Sequence, residues 1–97
     1  MIARVGRFQV KAGKQDEFKE LIETRVFTRV QQHKGYRNGY LLMDRKTGNC
    51  ITIGFWGTEE EAQADARSVS PQEQERLYET FLTEPPVIEL YEVASRD

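Results

Sequence analysis

The order in which strand-like and helix-like segments alternate is the feature that most constrains the fold. Ile2 to Val10 mixes β-branched and aromatic residues without a helical period, which predicts a first strand. From Gln15 to about His33 apolar residues recur at helical spacing, and Lys34-Gly35 ends this amphipathic helix. Tyr36 to Asp44 and Cys50 to Trp56 are again strand-like, and the short glycine-containing segment between them predicts a hairpin.

Two shorter helices and a last strand follow the hairpin. The segment Thr58 to Glu61 is a capping box, and Ser70 to Glu73 is another helix start with a proline in the first turn. Glu84-Pro85-Pro86 ends the third helix, and Val87 to Ala94 is strand-like. The order β-α-β-β-α(α)-β, with right-handed crossovers, predicts one ferredoxin-like α+β domain over residues 1–97. Its four-stranded antiparallel sheet carries the helices on one face.

The predicted strands are apolar on both faces. In the third strand, Ile51, Ile53 and Phe55 alternate with Cys50, Thr52, Gly54 and Trp56. Helices of one copy cover only one face, and soluble monomers seldom expose a large apolar patch. We therefore predict a homodimer that pairs the second faces into a dimeric α+β barrel. The alternative is a monomer whose second face is merely an aromatic surface.

Composition and charge exclude several classes of function. The formal net charge is −2 and the pI is about 5.5, so we expect no nucleic-acid or membrane partner. Met1 is followed at once by a strand, and no apolar run approaches the roughly 18 residues of a membrane span. We expect no signal peptide. The single cysteine, Cys50, indicates a reducing, cytoplasmic setting and lacks a neighbouring histidine that would make it a nucleophile.

Three segments resemble the antibiotic biosynthesis monooxygenase (ABM) family. Val10-Lys11-Ala12-Gly13-Lys14 resembles the V-K-x-G-K turn that opens the first helix in that family. Gly35-Tyr36 resembles its glycine–aromatic entry to strand two. Phe55 to Ala62 resembles its tryptophan at the end of strand three, followed by an acidic helix start. The resemblance covers essentially the whole chain in the same element order.

The resemblance implies a dimeric α+β barrel that oxidises an aromatic or quinol-like small molecule with dioxygen and no bound cofactor. The family also includes haem-degrading enzymes, which carry a tryptophan and then a histidine along the second helix. This chain has Asp65, Ala66 and Arg67 there, and its first strand lacks the asparagine of those enzymes. We therefore expect no haem. The alternative function is a non-catalytic dimeric module for ligand binding or stress response, and an RNA-binding role is disfavoured.

Four of the candidate substrate-binding residues lie on the second and third predicted strands. Asn38, a polar residue in an apolar strand, can orient a substrate carbonyl or sit at a bulge beside Gly39. Tyr40 can hydrogen-bond a phenol, and Phe55 can form a cavity wall. Trp56 can stack on an aromatic ligand, although packing or a dimer contact is the more common role of such a tryptophan.

The other two candidates are charged or titratable. Arg4 can hold the oxyanion of a deprotonated substrate. A salt bridge from Arg4 or Arg7 to the last strand, to Glu89 or Glu92, is the preferred alternative. His33 is the only histidine, so it can act as a general base but offers no metal-site spacing. Its place at the end of the first helix favours a simple interaction with the helix dipole. The sequence identifies no catalytic residue.

Overall fold

The computed structural model describes all residues from Met1 to Asp97 and has the predicted element order. The strands are β1 (Ile2–Gln9), β2 (Tyr36–Met43), β3 (Asn49–Trp56) and β4 (Val87–Glu92). They form one antiparallel sheet in the order β2-β3-β1-β4. The helical segments are α1 (Gln15–Leu21), a π-helical segment (Ile22–Val26), α2 (Phe27–Val30), α3 (Glu59–Arg67) and α4 (Pro71–Glu79). The α+β ferredoxin-like fold is confirmed.

The two predicted helix starts are present as side-chain caps. The Thr58 hydroxyl accepts a hydrogen bond from the Glu61 backbone N–H, which fixes where α3 begins. The Ser70 hydroxyl accepts from the Glu73 backbone N–H in the same way at α4. Gly35 adopts a φ of 90°, which reverses the chain between α2 and β2.

The long first helix contains a π-helical turn that its sequence period does not reveal. Here the Phe27 N–H donates to the carbonyl of Ile22, five residues earlier. The wider turn inserts one residue, so Val26 and Phe27 both pack against the core while Val30 is fully buried. The regular helix ends at Val30, so His33 lies in the turn beyond it rather than on the helix.

The core lies between the helices and one face of the sheet in two clusters. The larger contains Phe8, Val10, Phe18, Ile22, Cys50 and Leu82. The smaller contains Val30, Trp56 and Ala62 and joins α2, β3 and α3. None of the helices combines the length and hydrophobicity that a membrane-spanning helix requires.

The opposite side of the sheet carries apolar side chains that no helix covers. We call it the open face; it contains Tyr40, Leu42, Ile53, Phe55, Val87 and Tyr91. Four of these six residues are large hydrophobics that are about half exposed to solvent, and the other two are partly buried. The strand pattern therefore does produce a two-sided apolar sheet, as the prediction of a dimer requires.

We expect the protein to sediment with a mass near twice 11.3 kDa at micromolar concentration. Val87 and Ile88 are adjacent and both 53% exposed, but only Val87 lies on the open face. Val87→Glu places a charge in the predicted interface and should prevent dimerisation. The variant should still fold, because Arg7 lies opposite position 87 on the neighbouring strand. Ile88→Glu should remain dimeric. A wild-type monomer, or equal effects of both substitutions, would contradict pairing through the open face.

Candidate functional site

A buried carboxylate joins three elements on the helix side of the sheet. Asp65 on α3 is completely buried. Arg4 of β1 donates from Nη2 to Asp65 Oδ2 at 2.7 Å. Arg29 of α2 donates from Nε to Oδ1 and from Nη2 to Oδ2, both at 3.2 Å. His33 Nε2 lies 3.8 Å from Oδ1. We call Arg4, Arg29 and Asp65 the arginine–aspartate cluster.

The local structure explains why these side chains meet. Arg4 lies on the same side of β1 as Phe8, so its guanidinium faces the helices. Asp65 follows Ala62 by three residues, which places both on the buried side of α3. Arg4 also donates from Nη1 to the Ala62 carbonyl at 2.9 Å, so one guanidinium is tied to α3 at two points.

Two guanidinium groups keep Asp65 ionised. Burial alone would raise the pKa of this carboxyl, but the hydrogen bonds and charges of Arg29 and Arg4 outweigh it and lower the pKa below 3.8. The arginine–aspartate cluster holds two cations and one anion, a net charge of +1.

An aromatic layer covers the cluster. The Trp56 ring is completely buried, with the Arg4 guanidinium carbon 5.0 Å from its centroid. This is within the range of a cation–π contact. The Tyr36 ring meets Trp56 edge-on, with centroids 5.3 Å apart. Burial raises the pKa of Tyr36 although the Arg4 charge opposes the rise, so the Tyr36 hydroxyl stays protonated at neutral pH.

The indole N–H of Trp56 is buried and has no hydrogen-bond partner. It lies above Gly54, where an added Cβ would be 3.4 Å from Nε1. Gly39 is paired with Gly54, so β2 and β3 both lack a side chain at this point of the sheet. A buried donor without an acceptor costs about 1 to 3 kcal/mol, which native proteins rarely accept without a functional reason. The Trp56 N–H is thus a buried donor that no acceptor of the protein satisfies.

Two grooves of about 470 Å³ lie on the surface; one includes Tyr36, and neither is lined by Trp56 or by the arginine–aspartate cluster. The bulge groove lies where β2 departs from regular pairing, between Tyr36 and Asn38. It is lined by Phe27, Gln31, Tyr36, Arg37, Asn38 and Gly39. The second groove lies between α4 and the following loop and includes Tyr78. Burial raises the pKa of Tyr78, while the Arg29 and Arg4 charges oppose the rise.

The structure brings together only some of the predicted site residues. Arg4 and Trp56 are in contact, and His33 borders the same cluster. Asn38 lines the bulge groove and donates to the Tyr40 hydroxyl at 3.4 Å. Tyr40 and Phe55 lie on the open face, away from Trp56, and Asn38 is on the same side of the sheet, because it pairs with Phe55.

The predicted salt bridge to the last strand forms for one arginine only. Arg7 donates from Nε to Glu89 at 3.2 Å. Arg4 does not pair with Glu89 or Glu92, because its side chain points to the helices and binds Asp65 instead. Burial also raises the pKa of the Cys50 thiol, which lies in the larger core cluster.

Sequence reasoning missed Asp65 and Arg29. Asp65 is a charged residue on the buried side of a short helix, and that position is the signal that could have identified it. Arg29 directly precedes Val30 and lies four residues before His33, and this spacing is the signal that could have identified Arg29. No group of three or more His, Cys, Asp or Glu residues is arranged to hold a metal ion.

The solved structures that resemble this chain include two proteins named as oxygenases. SnoaB, a cofactor-independent oxygenase from Streptomyces nogalater, has a TM-score of 0.77 at 17% identity, over 98% of this chain and 94% of its own. A monooxygenase from the gene ActVA-Orf6 of Streptomyces coelicolor, in complex with the ligand nanaomycin D, has a TM-score of 0.77 at 15% identity, over 99% and 89%. The chain shares the fold of both proteins.

A protein from Nitrosomonas europaea that is named as a putative antibiotic biosynthesis monooxygenase shares this fold as well, with a TM-score of 0.78 at 16% identity, over 98% of this chain and 100% of its own. No protein-family model matches the sequence, and no curated protein matches it. The predicted resemblance to the ABM family is therefore confirmed in three dimensions, at identities that establish the fold alone.

Replacing Asp65 should destabilise the protein at neutral pH and change its acid response. Asp65→Asn leaves two buried guanidinium groups without their anion, which should cost about 3 to 5 kcal/mol. Because the folded pKa of Asp65 is depressed, its contribution is present above about pH 4 and is lost as the pH falls through the folded pKa. Urea unfolding from pH 2 to 7 measures this, and the difference between wild type and variant should shrink in acid.

The matched control is Asp16→Asn. Asp16 also pairs with an arginine, Arg45, at 2.6 Å, but its side chain is 87% exposed. Exposed pairs contribute little, so this variant should unfold like the wild type. Equal effects at the two positions would show that burial of Asp65 is irrelevant.

Trp56→Ala should cost about 3 to 5 kcal/mol, because it removes a fully buried ring from the smaller core cluster. Trp56→Phe should cost much less, because the lost N–H makes no hydrogen bond within the protein. Thermal unfolding of both variants measures the difference. A Trp56→Ala variant as stable as the wild type would rule out the packing described here.

Proposed function

We propose that this protein is an ABM-type, cofactor-independent monooxygenase that acts on an aromatic, quinol-like small molecule. One observation carries the proposal: the Trp56 indole is buried with its N–H unpartnered, and its ring lies between the Arg4 guanidinium and Gly54. A hydrogen-bond donor next to a cation suits a substrate oxygen that gains negative charge during the reaction. The shared fold with two proteins named as oxygenases supports the same conclusion.

The reaction in this proposal takes its electrons from the substrate. Transfer of a proton from an activated CH₂ group of a phenolic ketone to solvent gives an anion whose charge rests on oxygen and carbon, and a proton from solvent later returns to the peroxide. Dioxygen forms a C–O bond at that carbon, giving a peroxide. Loss of water then breaks the O–O bond and leaves a new C=O group. One oxygen atom enters the product and the other leaves as water, so no external reductant is required.

The side chains of the candidate site have distinct roles in this scheme. The Trp56 N–H and the Arg4 charge stabilise the substrate oxyanion, and the Tyr36 hydroxyl, which remains protonated, forms a wall of the bulge groove. The apolar surroundings exclude water from the reactive anion. Asn38 lines the bulge groove, so it can contact the part of the substrate that remains near the edge of the sheet. His33, 3.8 Å from the Asp65 carboxylate, is the titratable group at the border of the cluster.

The protein acts as a homodimer in this proposal. The open face buries its half-exposed side chains only when a second copy covers it. Tyr40 and Phe55 then contribute to the dimer contact rather than to substrate binding, because they lie on the open face.

A non-catalytic ligand-binding module is the second candidate function, and one observation favours it. Asp65 is committed to two salt bridges, and burial raises the pKa values of Tyr36 and Tyr78. None of these three groups can therefore accept a proton readily at neutral pH. A module that only binds an aromatic ligand needs no such group.

Oxygen uptake separates the two functions. We expect uptake above the spontaneous rate when the protein is incubated with a panel of naphthoquinols and anthrones, with the ketone or quinone product identified by mass. Trp56→Phe keeps an aromatic ring but loses the N–H, so turnover should fall about 10- to 100-fold. Tyr91→Phe, a change on the open face, is the matched control and should not alter the rate. Binding without uptake across the panel would favour the non-catalytic module.

A further inference from the structure

We propose that the bulge groove binds a planar aromatic carboxylate, with Arg37 as the residue that pairs with the carboxylate group. The volume of the groove, about 470 Å³, is in the usual range for a site that holds a small molecule. The oxygenase scheme gives Arg37 no role and places no charged ligand group in this groove, so the proposal goes beyond it. Arg4, Asp65 and Trp56 do not line the groove.

Two irregular backbone segments meet at the bulge groove. On the helix side, the π-helical turn closes with the bond from the Phe27 N–H to the Ile22 carbonyl, and Phe27 lines the groove directly after this turn. On the sheet side, the β-bulge between Tyr36 and Asn38 leaves Arg37 without a partner on β3. Both kinds of insertion recur at functional sites, and a β-bulge redirects the side chain that it carries. Two separate insertions that open onto one groove indicate a built binding site.

The charge of the groove favours an anion. Arg37 is the only charged residue that lines it, and no ion pair of the chain includes Arg37. Its Nη2 atom lies near Gly57, which the Glu61 carboxylate also borders. Glu61 accepts a hydrogen bond from the Thr58 hydroxyl at 3.2 Å and does not line the groove. The groove therefore contains one positive charge and no acidic group, which makes it complementary to an anionic ligand.

The neutral groups of the groove supply hydrogen-bond donors. Burial raises the pKa of Tyr36, so its hydroxyl stays protonated at neutral pH and can donate. This hydroxyl lies over Gly39, where an added Cβ would be 2.5 Å from the hydroxyl oxygen. The amides of Gln31 and Asn38 also line the groove, and Asn38 donates one N–H to the Tyr40 hydroxyl. A carboxylate suits this set, because its two oxygens accept several hydrogen bonds and can pair with a guanidinium in a bidentate geometry.

Two aromatic rings determine the rest of the ligand. Phe27 and Tyr36 line the groove from different elements, α2 and β2. Flat aromatic groups pack favourably against such rings. An inorganic anion would leave both rings in water, whereas a planar aromatic acid can cover them while its carboxylate lies at Arg37.

Isothermal titration calorimetry with three probes tests the ligand class. We expect 2-naphthoate to bind with a dissociation constant below about 1 mM. The amide 2-naphthamide has the same rings without the charge, and acetate has the charge without the rings. Each of these two should bind at least about tenfold more weakly than 2-naphthoate. No binding of 2-naphthoate, or an equal affinity for 2-naphthoate and either comparison probe, would overturn the proposal.

Arg37→Gln is the decisive variant, because it removes the one charge of the groove. We expect about tenfold weaker binding of 2-naphthoate and unchanged binding of 2-naphthamide. Arg25 is an exposed arginine on the π-helical segment and does not line the groove, so Arg25→Gln is the matched control and should bind 2-naphthoate like the wild type. Both arginines are exposed, so both variants should keep the melting temperature of the wild type. Unchanged binding in Arg37→Gln, or an equal loss in Arg25→Gln, would contradict a specific carboxylate site.

Two-dimensional NMR spectra locate the bound probe. The side-chain amide resonances of Gln31 and Asn38 and the backbone resonance of Gly39 should shift when 2-naphthoate is added, because these residues line the groove. Shifts confined to the groove beside α4, at Tyr78 and Leu82, would place the ligand elsewhere and reject the proposal.

The oxygen-uptake assay separates this proposal from the proposed function. Binding of 2-naphthoate that requires Arg37, with no oxygen uptake across the quinol panel, would support the carboxylate site and reject the oxygenase. Oxygen uptake by a protein that does not bind 2-naphthoate would support the oxygenase and reject the carboxylate site.

Discussion

The burial of the Asp65 carboxylate together with two arginine side chains determines how the helix layer packs on the sheet. Its side chain is completely buried, and its two oxygens accept hydrogen bonds from β1 and α2. A buried carboxylate without partners would be prohibitively costly, so α3, α2 and β1 can approach only in an arrangement that supplies both guanidiniums. Apolar residues of similar size would hold the same elements at least as well. The buried ion pairs add a fixed charge inside the domain, which an apolar core cannot supply.

The two faces of the sheet have different roles: the helix side carries the candidate site, and the open face carries the predicted dimer contact. On the helix side, the missing side chains at Gly39 and Gly54 make room for the Tyr36 and Trp56 rings, and the Trp56 N–H is left unsatisfied. On the open face, the same strands present large apolar side chains that favour a second copy. Because successive side chains of a strand point to opposite faces, each strand residue contributes either to the site or to the dimer contact. The bulge between Tyr36 and Asn38 is where this alternation is broken and where a groove opens.

The fold could be predicted because the sequence signals for helices and strands are local. Most of the site could not be predicted, since its side-chain contacts join residues that are far apart in the sequence. Periodicity and the caps at Thr58 and Ser70 depend on residues within one or two turns. Arg7 and Glu89 face each other across paired strands, so their contact follows from the strand order. The bond between Arg4 and Asp65 joins residues 61 positions apart and depends on how α3 crosses the sheet. No pattern in the sequence fixes that crossing.

The protonation states of the site restrict the chemistry it can perform. The charges of Arg29 and Arg4 overcome the effect of burial at Asp65 and keep it ionised, while burial dominates at Tyr36 and Tyr78 and keeps them neutral. A site built in this way stabilises an anion well and removes a proton poorly. His33 is partly exposed and 3.8 Å from Asp65, so it lies between the cluster and solvent. A substrate that is acidic enough to ionise on binding therefore fits this site better than one that requires a strong base.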